Sequence, residues 1–150
     1  MRVAMRKIQV LAFILVCTMI SGCGLAYRQN AAELAKTAKP EDYGPKPSSY
    51  EKTIKDAMEI VLIDPESARY SNWQEPRQAV IPSGISAYGS FSTKPILGWQ
   101  VDVYINSKNR LGGYTGAKRL GFFFVNNNLY AYGEYSPGAE GYGWDYLIKQ

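Results

Sequence analysis

This 150-residue chain contains no histidine and only two cysteines, Cys17 and Cys23. The missing histidine excludes Ser-His-Asp and Cys-His nucleophilic chemistry, imidazole general bases and imidazole metal ligands together. Two thiols and no imidazole cannot assemble a zinc site of four Cys or His ligands, so no metal and no cofactor is expected. Long apolar runs are also missing. The longest, from Ile8 to Ile20 and interrupted by Gln9 and Thr18, is shorter than the roughly 20 residues that a membrane-spanning helix requires. No acidic residue precedes Glu33. Carboxylate chemistry stays possible in principle, because 13 acidic residues are present.

What the N-terminus does have is ordered. Arg2, Arg6 and Lys7 come first, then the apolar run, then Ile20-Ser21-Gly22-Cys23. A charged segment followed by an apolar segment of this length has the form of an export signal. Small residues at 21 and 22 let an extended backbone enter a peptidase cleft, and the thiol that follows can take a thioether-linked diacylglycerol. The four residues resemble the lipobox of bacterial lipoproteins; the alternatives are an ordinary secretory signal or an uncleaved anchor. The resemblance implies a signal peptide over 1–22, cleavage between Gly22 and Cys23, and attachment of palmitate-type acyl chains to Cys23. Residue 24 is Gly rather than Asp, which by the same resemblance implies the outer membrane, facing the periplasm, in a Gram-negative host. Each buried methylene contributes about 0.8 kcal/mol, so the two or three chains of a lipoprotein cysteine would anchor firmly where one would not.

Cleavage would leave 128 residues with 14 basic and 13 acidic side chains. The apparent positive charge therefore belongs largely to the signal, and nothing points to a nucleic-acid partner. Cys17 would be discarded and Cys23 consumed by lipid, so the mature domain would carry neither a free thiol nor a disulfide.

Residues 23–48 read as the lipidated N-terminus and a flexible tether, since Pro40, Gly44, Pro45, Pro47 and Ser48 suit no packed element. Residues 30–38 within it are expected to form about two turns of helix. Residues 49–150 read as a single α+β domain: one amphipathic helix packed on a four- to five-stranded, mainly antiparallel sheet. The helix is expected over 49–63, with Ser48 and Glu51 spaced as a capping box and Pro65 ending it. Its inner face would be Tyr50, Ile54, Ala57, Met58 and Val61. Strands are expected over 67–73, 77–82, 99–106, 119–125 and 129–135, with Asn126-Asn127-Asn128 as a tight turn. In the 99–106 strand, Trp99, Val101, Val103 and Ile105 alternate with Gln100, Asp102, Tyr104 and Asn106, the pattern of a sheet with one wet face. The glycines at 138, 141 and 143 imply a loop-like C-terminus.

Two regions are candidate binding sites. The first is the 106–116 loop, where Lys108, Asn109 and Arg110 precede Gly112, Gly113 and Tyr114; cations beside glycine amides suit an anion, although the spacing is not that of a phosphate-binding P-loop. The alternative is a shaped hairpin loop. The second is an aromatic surface of Tyr130, Tyr132 and Trp144, with Tyr130, Tyr132 and Glu134 expected on one strand face. Such rings stack on sugars or act as protein hot spots; filling strand faces is the alternative. The Asp64-Pro65-Glu66-Ser67-Ala68, Gly98-Trp99 and Asn-x-Lys-Asn-x-x-Gly-Gly-Tyr-x-Gly motifs also resemble a group of small exported bacterial proteins and lipoproteins across about residues 50–130. That resemblance implies no activity.

The expected function is therefore a lipid-anchored, non-enzymatic accessory module that binds another envelope protein, with the membrane as its second partner. Peptidoglycan binding through the C-terminal aromatics is one alternative. A carboxylate-dependent hydrolase using Asp102 and Glu134 is the other, and it needs both groups flanking one cleft.

Overall fold

The computed structural model describes residues 31–82, 84–85, 91–92, 94–136 and 141–146. The signal peptide, the Gly22–Cys23 junction, Gly24 and the first residues of the tether lie outside them. The fold is α+β, with two helices and a mainly antiparallel sheet. Helix α1 is described over 31–37, within the stretch where two turns were expected. Helix α2 (Tyr50–Val61) sits within the expected 49–63. Strands β1 (Arg69–Ser71), β2 (Arg77–Ile81), β5 (Ile96–Asn106), β6 (Lys118–Val125), β7 (Asn128–Ser136) and β8 (Gly141–Tyr146) form one sheet, and β3 (Gly84–Ile85) and β4 (Phe91–Ser92) form a separate pair.

Helix α2 forms because its apolar residues recur at helical spacing over an otherwise charged surface. Ile54 and Met58 are fully buried, Tyr50 and Ala57 are half-buried, and Val61 at the end of the stripe is exposed. The capping box does not form. The N-cap is Ser49 and no side chain caps it; its carbonyl accepts both the Thr53 N–H and the Thr53 hydroxyl, each at 3.1 Å. The outer face carries a Lys52–Asp56 pair at 2.6 Å. The Lys55 ammonium lies 5.8 and 5.7 Å from the centres of the Tyr70 and Trp73 rings, within cation–π range.

In the large sheet, β5 is flanked on one side by β6, then β7, then β8. On its other side an interrupted edge runs along it: β2 pairs with residues 96–100 and β1 with residues 104–106. Asn72, at φ 52°, turns the chain out between them, and the Gln74 N–H bridges the gap by donating to the Asp102 carbonyl at 2.9 Å. Strands β6 and β7 join through Asn126 and Asn127, both at positive φ (49° and 69°), which is the backbone a two-residue hairpin requires. Strand β8 corrects the loop-like reading of the C-terminus. A Cβ on Gly133 of β7 would strike the Gly143 carbonyl of β8, so the bare Gly133 lets the two strands approach, and Gly143 lies inside a strand rather than a loop.

The sheet is buried on both faces, which the alternation in β5 did not anticipate. On one face, Ile54 and Met58 of α2 pack over Val101, Val103, Ile105, Phe122 and Phe124. On the other, Ile81, Phe123 and Ala131 form a second cluster. The Phe122-Phe123-Phe124 run serves both, because successive residues of a strand point to opposite faces. Gln100 and Asp102, expected to be wet, are buried on the second face. The tether reading ends early as well. Residues 40–43 form a 3-10 turn, Tyr43 and Pro47 are buried, and the Trp99 indole N–H donates to the Gly44 carbonyl at 3.0 Å.

Gly98 shows how tight the second face is. A Cβ there would meet the Phe124 carbonyl and the Phe123 ring. Gly98→Ala is therefore expected to destabilise the domain by about 1–3 kcal/mol, the usual cost of overpacking. Urea unfolding checks this; an unchanged midpoint would show that β5 and β6 can part without cost.

Candidate functional site

The 106–116 loop is built around Asn109. Its Oδ1 accepts the Leu111 and Gly113 N–H groups at 2.9 and 3.1 Å. The Asn109 N–H donates to the Gly113 carbonyl, and the Gly112 N–H donates to the Asn109 carbonyl, both at 2.9 Å. Gly112 and Gly116 take left-handed backbone, at φ 79° and 92°, which glycine adopts without steric cost. The root of the loop is fastened to the turn after α2: the Lys108 N–H donates to the Ser67 hydroxyl at 2.9 Å, and the Tyr114 hydroxyl donates to the Ser67 carbonyl at 3.3 Å. Ser67 is itself held by Asp64, which caps the 65–67 turn. The Asp64-Pro65-Glu66-Ser67 run therefore organises the loop from across the fold.

These bonds bear directly on the anion reading. An anion cradle needs amides free to point at the ligand, whereas two of this loop's amides are spent on the Asn109 side chain. The cations turn elsewhere: the Arg69 guanidinium lies 4.5 Å and the Lys108 ammonium 5.8 Å from the centre of the Tyr114 ring. At the tip, Arg110 is exposed and Leu111 is 94% exposed, and Tyr114 is 41% exposed. The loop presents a fixed surface of cations, one ring and one aliphatic side chain.

The candidate aromatic surface does not assemble as expected. Pairing shifts from Phe123↔Ala131 to Phe124↔Leu129, leaving Tyr130 as an extra residue in a bulge. Tyr130 then packs with the second cluster, while Tyr132 packs with the helix-side core and stacks on Phe122 at 6.3 Å. A bulge inserts one residue and so breaks the two-residue alternation behind the shared-face expectation. Trp144 meets Phe123 edge-on at 5.8 Å. The side chains of Tyr142 and Tyr146 lie outside the described residues.

Asp102 and Glu134 also part. Asp102 is 1% exposed on the second face. One of its oxygens accepts from Arg119 at 2.6 Å and from Arg77 at 3.1 Å, and the other accepts from the Gln100 amide at 2.6 Å. Its neighbour across the ladder is Gly121. Glu134 pairs with Leu120 in the ladder, on the helix side, and is exposed beside Lys118 at 2.9 Å. Two carboxylates on opposite faces cannot flank one glycosidic bond. An open recess of about 800 Å³ between α2 and the β6–β7 turn is lined by Thr53, Ala57, Val125, Asn126, Asn128, Leu129 and Tyr130, with no carboxylate. A smaller one, of about 330 Å³, lies between α1 and β2 and includes Arg77 and Gln100.

No protein family, curated protein or solved structure gives a significant match to this chain. The functional reading therefore rests on the chain's own residues. Among the described residues no helix is long and apolar enough to cross a membrane, and no three acidic side chains are grouped to hold a metal ion. The Asp102 cluster is the feature that sequence reasoning missed. Its signal was present: a lone carboxylate, Asp102, flanked by Val101 and Val103 in a largely apolar strand.

Asn109→Ala is expected to free the 111 and 113 amides and raise their hydrogen-exchange rates. The loss of global stability should be small, on the order of 1 kcal/mol for exposed bonds. Unchanged exchange at both amides would show that the loop does not depend on this side chain.

Proposed function

We propose that this chain is a lipid-anchored protein of the bacterial cell envelope, whose mature domain is a non-enzymatic accessory module that binds another envelope protein. The observation that carries the reading is the Ile20-Ser21-Gly22-Cys23 sequence directly after a basic and then apolar N-terminal segment. Acyl chains on Cys23 would hold the domain at a membrane surface, in the outer membrane facing the periplasm in a Gram-negative host. The domain beyond it has no histidine or further cysteine, and the one buried carboxylate among the described residues is engaged by two guanidinium groups and an amide. Both features favour recognition over catalysis. Glycan binding draws less support, because Tyr130, Tyr132 and Trp144 pack against two different clusters instead of lining one face.

Cells expressing the chain are grown with an alkyne-bearing palmitate analogue, and the protein is examined by intact mass. The expected result is loss of residues 1–22, label on the remaining chain, and recovery in the membrane fraction. Cys23→Ala should abolish the label and release at least ten-fold more protein into the soluble fraction. Unlabelled wild-type protein, or a Cys23→Ala variant labelled like wild type, would refute lipidation at this residue.

A further inference from the structure

We propose that the 106–118 loop is the docking tip of the domain and that it seats on a protein surface in which carboxylates rim an apolar socket. Three independent features of the loop carry this. The first is charge. No acidic residue occurs between Asp102 and Glu134, while the loop contributes Lys108 and Arg110, and Arg69 reaches its Tyr114 ring. The acids beside the loop are already engaged: Asp64 caps the 65–67 turn and is bonded to Ser67, and Glu134 pairs with Lys118 at 2.9 Å. A cationic tip of this kind is complementary to a surface rich in carboxylates, and such complementarity steers encounter and selects partners.

The second feature is an apolar contact with no partner inside the fold. Leu111 is 94% exposed at the tip, next to Arg110. A single exposed leucine is ordinary on a protein surface. This one stands between an arginine and a tyrosine, the residue types that most often dominate binding energy. Ile60 and Ile63, 88% and 61% exposed, lie just before the 65–67 turn that fastens the loop. The third is rigidity. The Asn109 bonds and the two bonds to Ser67 fix the tip before any partner arrives, so little further ordering entropy is lost on binding.

One exposed leucine and two cations add little to a bilayer contact, whereas a fixed arginine, leucine and tyrosine suit a protein socket; that favours a protein as the occupant, and the loop's place relative to the anchor rests on the lipid-anchor reading. The described chain begins at α1, which lies against β2 and Gln100, toward the first half of β5. The loop leaves β5 after Asn106, six residues further on, or about 20 Å along the strand. The eight residues from Cys23 to residue 30 reach at most about 28 Å when extended. That reach exceeds the separation of about 20 Å, so the anchor fixes which end is tethered and leaves the loop free to face away from the lipid.

The test uses the full chain in living cells, with a photo-crosslinking residue at position 111 and, as a control on the outer face of α2, at position 52. The expected result is a discrete protein adduct from position 111 and not from 52, with carboxylates in the crosslinked segment. The double variant Lys108→Glu, Arg110→Glu should lower the yield at least ten-fold, and reversing the partner's carboxylates to lysine should restore it. Unchanged melting of that variant shows that the loss is not unfolding; if melting falls, Arg110→Glu alone at the exposed tip is read the same way. Adducts only with lipid, adducts only with glycan, no adduct, equal adducts from 52, or a yield insensitive to charge reversal would each overturn the proposal. Palmitate labelling of the same cells keeps the two readings apart: a loop that fails in a labelled protein sinks docking alone, and an unlabelled protein with the expected adduct sinks the anchor alone.

Discussion

A buried carboxylate in the central strand dictates much of this fold. Asp102 sits almost without solvent at the middle of β5 and cannot remain charged there unaided, since desolvating a lone carboxylate is far more costly than any single contact returns. Arg77 at the start of β2, Arg119 near the start of β6 and Gln100 two residues away converge on it. These partners come from three strands, so the ion cluster ties the interrupted edge to the centre of the sheet. Asp102 faces Gly121 across the ladder, and where the edge strand breaks at Asn72 the Gln74 N–H donates to the Asp102 carbonyl.

The same cluster shapes what the molecule can do. A carboxylate held by two guanidinium groups is poorly placed to take or give a proton, and the other candidate acid, Glu134, belongs to the opposite face. With histidine absent and cysteine confined to the N-terminal segment, the domain's chemical resources lie on its surface. The loop after β5 is the most organised part of that surface, and its order comes from a distance: the Asp64-capped turn after α2 supplies the Ser67 hydroxyl and carbonyl that fasten it.

Much of the fold was legible because periodicity reports local geometry. The α2 stripe, the Asn-Asn turn and the apolar β6 strand all follow from spacing that the chain carries within ten or so residues. What was not legible depended on partners distant in sequence. Gln100 and Asp102 look like a wet strand face until Arg77 and Arg119 are placed beside them. Tyr130 and Tyr132 look like neighbours until the bulge opposite Phe123 and Phe124 separates them. Glycines 141 and 143 look like loop formers until β7 is placed beside them as a partner strand. In the candidate loop, that Asn109 would consume two of the amides offered to an anion depended on a backbone path that spacing does not encode.

The claim that the Asp102 cluster is a structural tie is tested most directly by a double-mutant cycle in urea unfolding, using Asp102→Ala and Arg119→Ala singly and together. The account predicts that Arg119→Ala alone costs about 3 kcal/mol or more, as expected when a buried charge loses a partner. It also predicts a coupling energy toward the upper end of the roughly 0.5–3 kcal/mol seen for residues in contact. Losses that add to within about 0.5 kcal/mol, as they do for independent sites, would contradict it.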